Sequence, residues 1–111
     1  AILTNVLTKA WSGMTTGEYK RHKGLTKENL RDNMTNVELA LNTLAEVATT
    51  ELSRQRNPKG MFESQQAAQA GGKVAKNARE DLERQLGRSV ISSERASDHI
   101  RPIEEGKAQE L

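Results

Sequence analysis

The stretch Gly24–Leu39, GLTKENLRDNMTNVEL, decides how this chain is read, because its polar residues fall at the spacing of a helix-capping signal. Met34, Thr35, Glu38 and Leu39 stand in the order apolar, Thr, Glu, apolar. A Thr at the N-cap accepts a hydrogen bond from an otherwise orphan backbone N–H. Glu at the third helical position reaches back to the cap, and the flanking apolar pair staples the entry of the chain. The pattern recurs at Met14-Thr15 with Glu18-Tyr19. A weaker copy, Leu25-Thr26 with Asn29-Leu30, has Asn where Glu would serve better. Three helix starts so close together predict two short helices and then a long one.

The long helix is expected from Asn36 to about Arg56. Val37, Ala40, Leu41, Leu44, Val47, Ala48 and Leu52 share one face at the 3.6-residue period. Asn57-Pro58-Lys59-Gly60 breaks it. A second long helix is expected from about Glu63 to Leu86, with Ala67, Ala70, Gly71, Val74, Ala75, Ala78, Leu82 and Leu86 in register. Gly71-Gly72 in its middle costs about 1 kcal/mol per Gly relative to Ala, which a close helix crossing or a kink would justify. Gly87 stands in the usual C′ position. Ser92 or Ser93 is expected to cap a small helix reaching about His99, followed by a frayed tail over 101–111. No strand pattern exceeds Val90-Ile91. The reading is all-α: two short N-terminal helices, a long antiparallel helical hairpin and a short C-terminal helix, in one domain over 1–100.

Composition sets the same limits. The chain has 111 residues, 34% of them hydrophobic and 29% charged, with one Trp, one Tyr and one Phe. Its mean hydropathy is -0.77. A length like this suits one domain, and so few apolar residues predict a thin core assisted by another chain or domain. The wide stripe on the first long helix, facing a narrow Ala/Gly face, predicts that a second copy covers part of it. Val37, Leu41, Leu44, Val47, Ala48 and Leu52 are therefore candidates for a core or self-association face, and a homodimer is expected. The absence of Cys excludes disulfides and thiolate chemistry. Residues 1–7 are too short for a signal peptide or a membrane span. A chain opening on Ala1 reads as a cytoplasmic fragment of a longer protein.

Catalytic and metal chemistry find little footing. His22 and His99 are the only histidines, and no His-x3-His pair exists to hold a transition metal. Glu80, Asp81 and Glu83 lie among Lys76, Arg79 and Arg84, and Lys76–Glu80 and Glu80–Arg84 read as helical ion pairs on a solvated face. Gly71-Gly72-Lys73 lacks the flanking residues of a phosphate-binding loop. No catalytic residue, metal or cofactor is predicted.

The basic residues are a separate matter. Lys20, Arg21, His22, Lys23, Lys27 and Arg31 fall close together. Such a patch can neutralise phosphates, with Trp11 and Tyr19 near enough to stack on bases. The competing reading makes Trp11 and Tyr19 core residues and the cations the wet side of two short helices; the net charge of only +2 favours it. Arg31, Asp32 and Asn33 are required by no cap or staple. Together with Lys20, Arg21, Lys23 and Lys27 they are the candidate contacts for nucleic acid or a partner.

The segments Trp11–Thr15, Glu18–Lys20, Lys23–Thr35, Glu38–Asn42 and Leu44–Glu46 resemble the C-terminal region of DNA-damage-inducible protein D and of Bro-domain prophage antirepressor-like proteins. Residues 71–92, GGKVAKNAREDLERQLGRSVIS, look like that family's second helical block. The resemblance implies a bacterial or prophage regulatory protein of the SOS response. Its Bro domain, the DNA-contacting part, would precede Ala1. The role implied is control of repair or recombination, or antirepression through a repressor partner. No catalytic residue carries over.

Overall fold

A computed structural model of the chain describes residues 2–94. Helix α1 spans Ile2–Ser12, α2 Thr16–His22, α3 Asn36–Arg56 and α4 Gly60–Leu86, with one turn of 3-10 helix at Arg31–Asn33 between α2 and α3. Among the described residues there is no strand.

Two of the three predicted capping boxes form. Thr15 Oγ1 accepts from Glu18 N while the Glu18 carboxylate accepts from Thr15 N, and Thr35 and Glu38 repeat the exchange at the head of α3. The copy at Thr26 starts no helix. There the Glu28 carboxylate accepts from the amides of Thr26 (2.9 Å) and Lys27 (3.1 Å), which ties the segment into a turn. The Thr26 amide first, and then the amide of Glu28 itself, hold the Glu28 carboxyl below the usual carboxylate range. The Asn29 side-chain oxygen accepts from Asp32 N, within the 3-10 turn, at 3.2 Å. In place of a second short helix there is this turn, and the second N-terminal helix is α1, which has no capping signal.

The break between the long helices lies where Asn-Pro-Lys-Gly stands. Asn57 closes α3 in the left-handed region at φ 49° and Gly60 turns with φ 84°. α4 begins at Gly60, a turn earlier than expected, with the Glu63 carboxylate accepting from Lys59 N at 2.7 Å. It then returns along α3. Ser53 and Ser64 line one cleft, Thr49 meets Gly71, and Val37 and Leu86 line another. The glycine pair has a packing reason: Gly71 lies against the backbone of Thr49 on α3, and Gly72 against Leu7 and Ala10 on α1. Small residues in the middle of α4 thus let two helices approach it on different sides. Gly87 ends α4 at φ 73°.

The core collects Trp11, Tyr19, Leu25, Leu30, Leu41 and Val90 around Ala45, Ala68 and Ala75. Trp11 and Tyr19 have no exposed surface, and their rings lie 6.0 Å apart at 57°. They are core residues and are not available to stack on bases. Residues 92–94 are not helical. The rest of the expected helix to His99 and the tail over 101–111 lie outside the described residues.

Candidate functional site

The most unusual feature of the core is charged. Glu38 is fully buried and Lys23 is 3% exposed, and they pair at 2.7 Å. The capping box that starts α3 places Glu38 there, since the third helical position points back over the cap. Its Oε1 accepts from Thr35 N at 2.8 Å as well as from Lys23. Its Oε2 accepts from the Tyr19 hydroxyl and, at 3.1 Å, from Ser92 N. Lys23 Nζ also donates to the Glu94 carbonyl and lies 5.8 Å from the centre of the Tyr19 ring. Burial, with the Glu38 carboxylate alongside, pushes the Tyr19 phenol far above its usual range, so it remains a donor. Nothing in the pattern Thr-x-x-Glu marks this residue as more than a cap. The signal that could have found it is that Glu38 and Asn42 share a helix face with Ala45.

A second polar chain joins the other elements. Trp11 Nε1 donates to Asn42 Oδ1 at 3.1 Å, and Arg79 Nε donates to the Trp11 carbonyl at 2.8 Å. Arg79 pairs with Glu83, whose Oε2 accepts from Val90 N at 3.1 Å. Burial works against the Glu83 charge. The Val90 amide and the Arg79 guanidinium outweigh it and hold the carboxyl below the usual range. The predicted Lys76–Glu80 and Glu80–Arg84 pairs do not form; Arg84 pairs with Asp81 at 3.1 Å. Both polar chains end on residues 90–94, which they fasten across the bundle.

The predicted contact patch is divided by this arrangement. Lys23 faces inward and is not an exposed cation. Arg31 pairs with Glu46 at 2.7 Å on the surface, and Asn33 Nδ2 donates to the Asn29 carbonyl at 2.8 Å. Arg21, Lys27 and Asp32 are exposed, and Lys20 is half-buried. Lys20 and Arg31 both line a cleft of about 610 Å³ that touches all four helices and the 3-10 turn. His22 is exposed, and the described residues hold no group of three side chains suited to a metal ion.

The face predicted for α3 is turned. The buried residues are Glu38, Leu41, Asn42 and Ala45. Val37, Leu44 and Val47 are 39%, 37% and 54% exposed, while Ala48 and Leu52 are half-buried. Each residue advances the helix by about 100°, so the buried face sits roughly one residue round from the apolar stripe. The reason is the two polar chains: Glu38 must reach Lys23 and Tyr19, and Asn42 must reach Trp11. Asn42 and Gly72 both face α1. Leu44 and Val74, two residues further on, lie about 200° round their helices and point away from it. Val74 is 44% exposed. The outer side of α3 and α4 therefore carries apolar residues in water.

A scan against protein-family models, a search of curated proteins and a search of solved structures each found no significant match.

Proposed function

We propose that this chain is a non-enzymatic helical interaction domain that works through the outer face of α3 and α4, first by self-association as a homodimer. What carries the reading is the turned helix. A chain with only 34% hydrophobic residues leaves Val37, Leu44, Val47 and Val74 in water while burying Glu38 and Asn42. Two adjacent helices of this length present roughly 30 × 20 Å, a little below the ~800 Å² per partner of a standard interface. The resemblance to DNA-damage-inducible protein D would put the domain behind a DNA-contacting Bro domain, in a cytoplasmic SOS-response protein. On that reading the same face serves a repair, recombination or repressor partner. Among the described residues no helix is long and apolar enough to cross a membrane.

Direct DNA binding through the basic segment is the weaker alternative. With Lys23 buried and Arg31 paired, it rests on Lys20, Arg21 and Lys27.

The structure separates two substitutions that look alike in sequence. Leu41 is 7% exposed and Leu44 37%. Leu41→Glu is expected to abolish cooperative folding, because it places a second carboxylate in the core without a partner. Leu44→Glu is expected to keep the wild-type melting curve within about 1 kcal/mol, as surface substitutions do, and to sediment as a monomer where the wild type forms dimers. Sedimentation velocity over a concentration series checks this. A wild type that remains monomeric at the highest concentration would remove self-association from the proposal.

A further inference from the structure

We propose that the cleft between α1, α2, the 3-10 turn and the α3–α4 pair binds a small organic monoanion with an apolar body. Its volume of about 610 Å³ lies within the ~300–1,000 Å³ of small-molecule sites. Leu7 and Leu30, each 8% exposed, and Ala68 at 1% contribute the apolar part of the wall. An apolar ligand surface gains by leaving water against them.

The charge of the lining selects the ligand's charge. Three ionisable side chains line the cleft: Lys20, Arg31 and Glu46. Arg31 and Glu46 neutralise each other at 2.7 Å. Lys20 is half-buried and has no ion pair or side-chain hydrogen bond among the described residues. One uncompensated positive charge remains, and a single anionic group would balance it. A ligand with two would leave one charge unpaired in a partly desolvated site.

An independent observation comes from a hydroxyl. Thr16 lines this cleft, and its Oγ1 is shielded from solvent without a hydrogen-bond partner. Buried hydroxyls without partners are uncommon in folded proteins. Thr16 lies one helical turn before Lys20 on α2, so its hydroxyl and the ammonium are on the same side of that helix. Together they form a donor pair suited to a carboxylate or sulfonate.

The test is a fluorescence titration of the whole chain with 8-anilinonaphthalene-1-sulfonate, whose rings carry one sulfonate, beside N-phenyl-1-naphthylamine, which has the rings without the charge. Saturable one-to-one binding of the sulfonate is expected. Lys20→Gln should weaken it about tenfold and leave the neutral amine unchanged. Thr50→Trp, which fills the cleft from an exposed position on α3, should abolish binding of both; Ser53→Phe repeats the test should that variant fail to melt cooperatively. Leu44→Glu, on the outer face, should change neither. No saturation, sulfonate binding indifferent to Lys20→Gln, or binding lost in Leu44→Glu but kept in Thr50→Trp would each overturn the proposal.

Discussion

Glu38→Ala is expected to destabilise the chain by about 3–5 kcal/mol, the range for removing one partner of a buried ion pair. The substitution leaves Lys23 buried beside the Glu94 carbonyl without a counter-charge. It also strips the acceptor from Tyr19, from Thr35 N and from Ser92 N. Against a total stability of roughly 5–15 kcal/mol for a domain, that loss is enough to populate the unfolded state. Lys23→Met should cost less, because the Glu38 carboxylate keeps three donors while Lys23 serves only two acceptors. Denaturant unfolding followed by Trp11 emission reads both, since Trp11 is the only tryptophan and is fully buried. Equal losses in the two variants would mean that the ion pair alone carries the effect. A larger loss for Lys23→Met would contradict the hub role assigned to Glu38.

The second large effect concerns Gly71, and there the sign of the change decides. Helix propensity predicts that Gly71→Ala stabilises by about 1 kcal/mol. A Cβ on Gly71 would run into Thr49 Oγ1 and stand 2.6 Å from Thr49 N and 2.7 Å from Thr49 Cα. The last two are backbone atoms, so relief requires α3 and α4 to move apart, and overpacking of this kind costs about 1–3 kcal/mol or more. A net loss is expected, lowering the melting temperature by roughly 4–8 °C for each kcal/mol. Thr49→Ala in the same chain removes only the hydroxyl and should restore stability in part at most, because the obstructing backbone atoms remain. A Gly71→Ala variant more stable than the wild type would show that the two helices do not approach as closely as described.

These two sites also show what could be read from the sequence. The bounds of α3, the caps at Thr15 and Thr35, the break at Asn57–Gly60 and the stop at Gly87 are local matters. Each depends on backbone conformations that neighbouring residues specify. Gly71-Gly72 was legible as a close crossing or kink, and the crossing is what the structure holds. α1 has no capping Thr to announce it, although Leu3, Leu7, Ala10 and Trp11 recur at helical spacing. The Thr26 segment resembled a cap, but with Asn29 in place of Glu the carboxylate of Glu28 claims the free amides instead. The face of α3 differs from the apolar stripe for a reason of another kind. Counting apolar positions puts Glu38 and Asn42 toward water, and only their distant partners Lys23, Tyr19 and Trp11 turn them inward. The cleft is not legible for the same reason: its lining comes from five separated segments, and no single stretch announces it.

α3 keeps Ala45 inside and turns Val47 outward, onto the face that a second copy would cover in the proposed dimer. The chain has no Cys, so a single thiol introduced as Val47→Cys reports that position alone. Its rate of reaction with a thiol reagent, measured across a protein dilution series, tests this most directly. The rate should approach that of a free thiol when dilute and fall as concentration rises, while Ala45→Cys stays protected throughout. A Val47→Cys thiol that is protected at every dilution, or equally reactive at every concentration, would contradict the account.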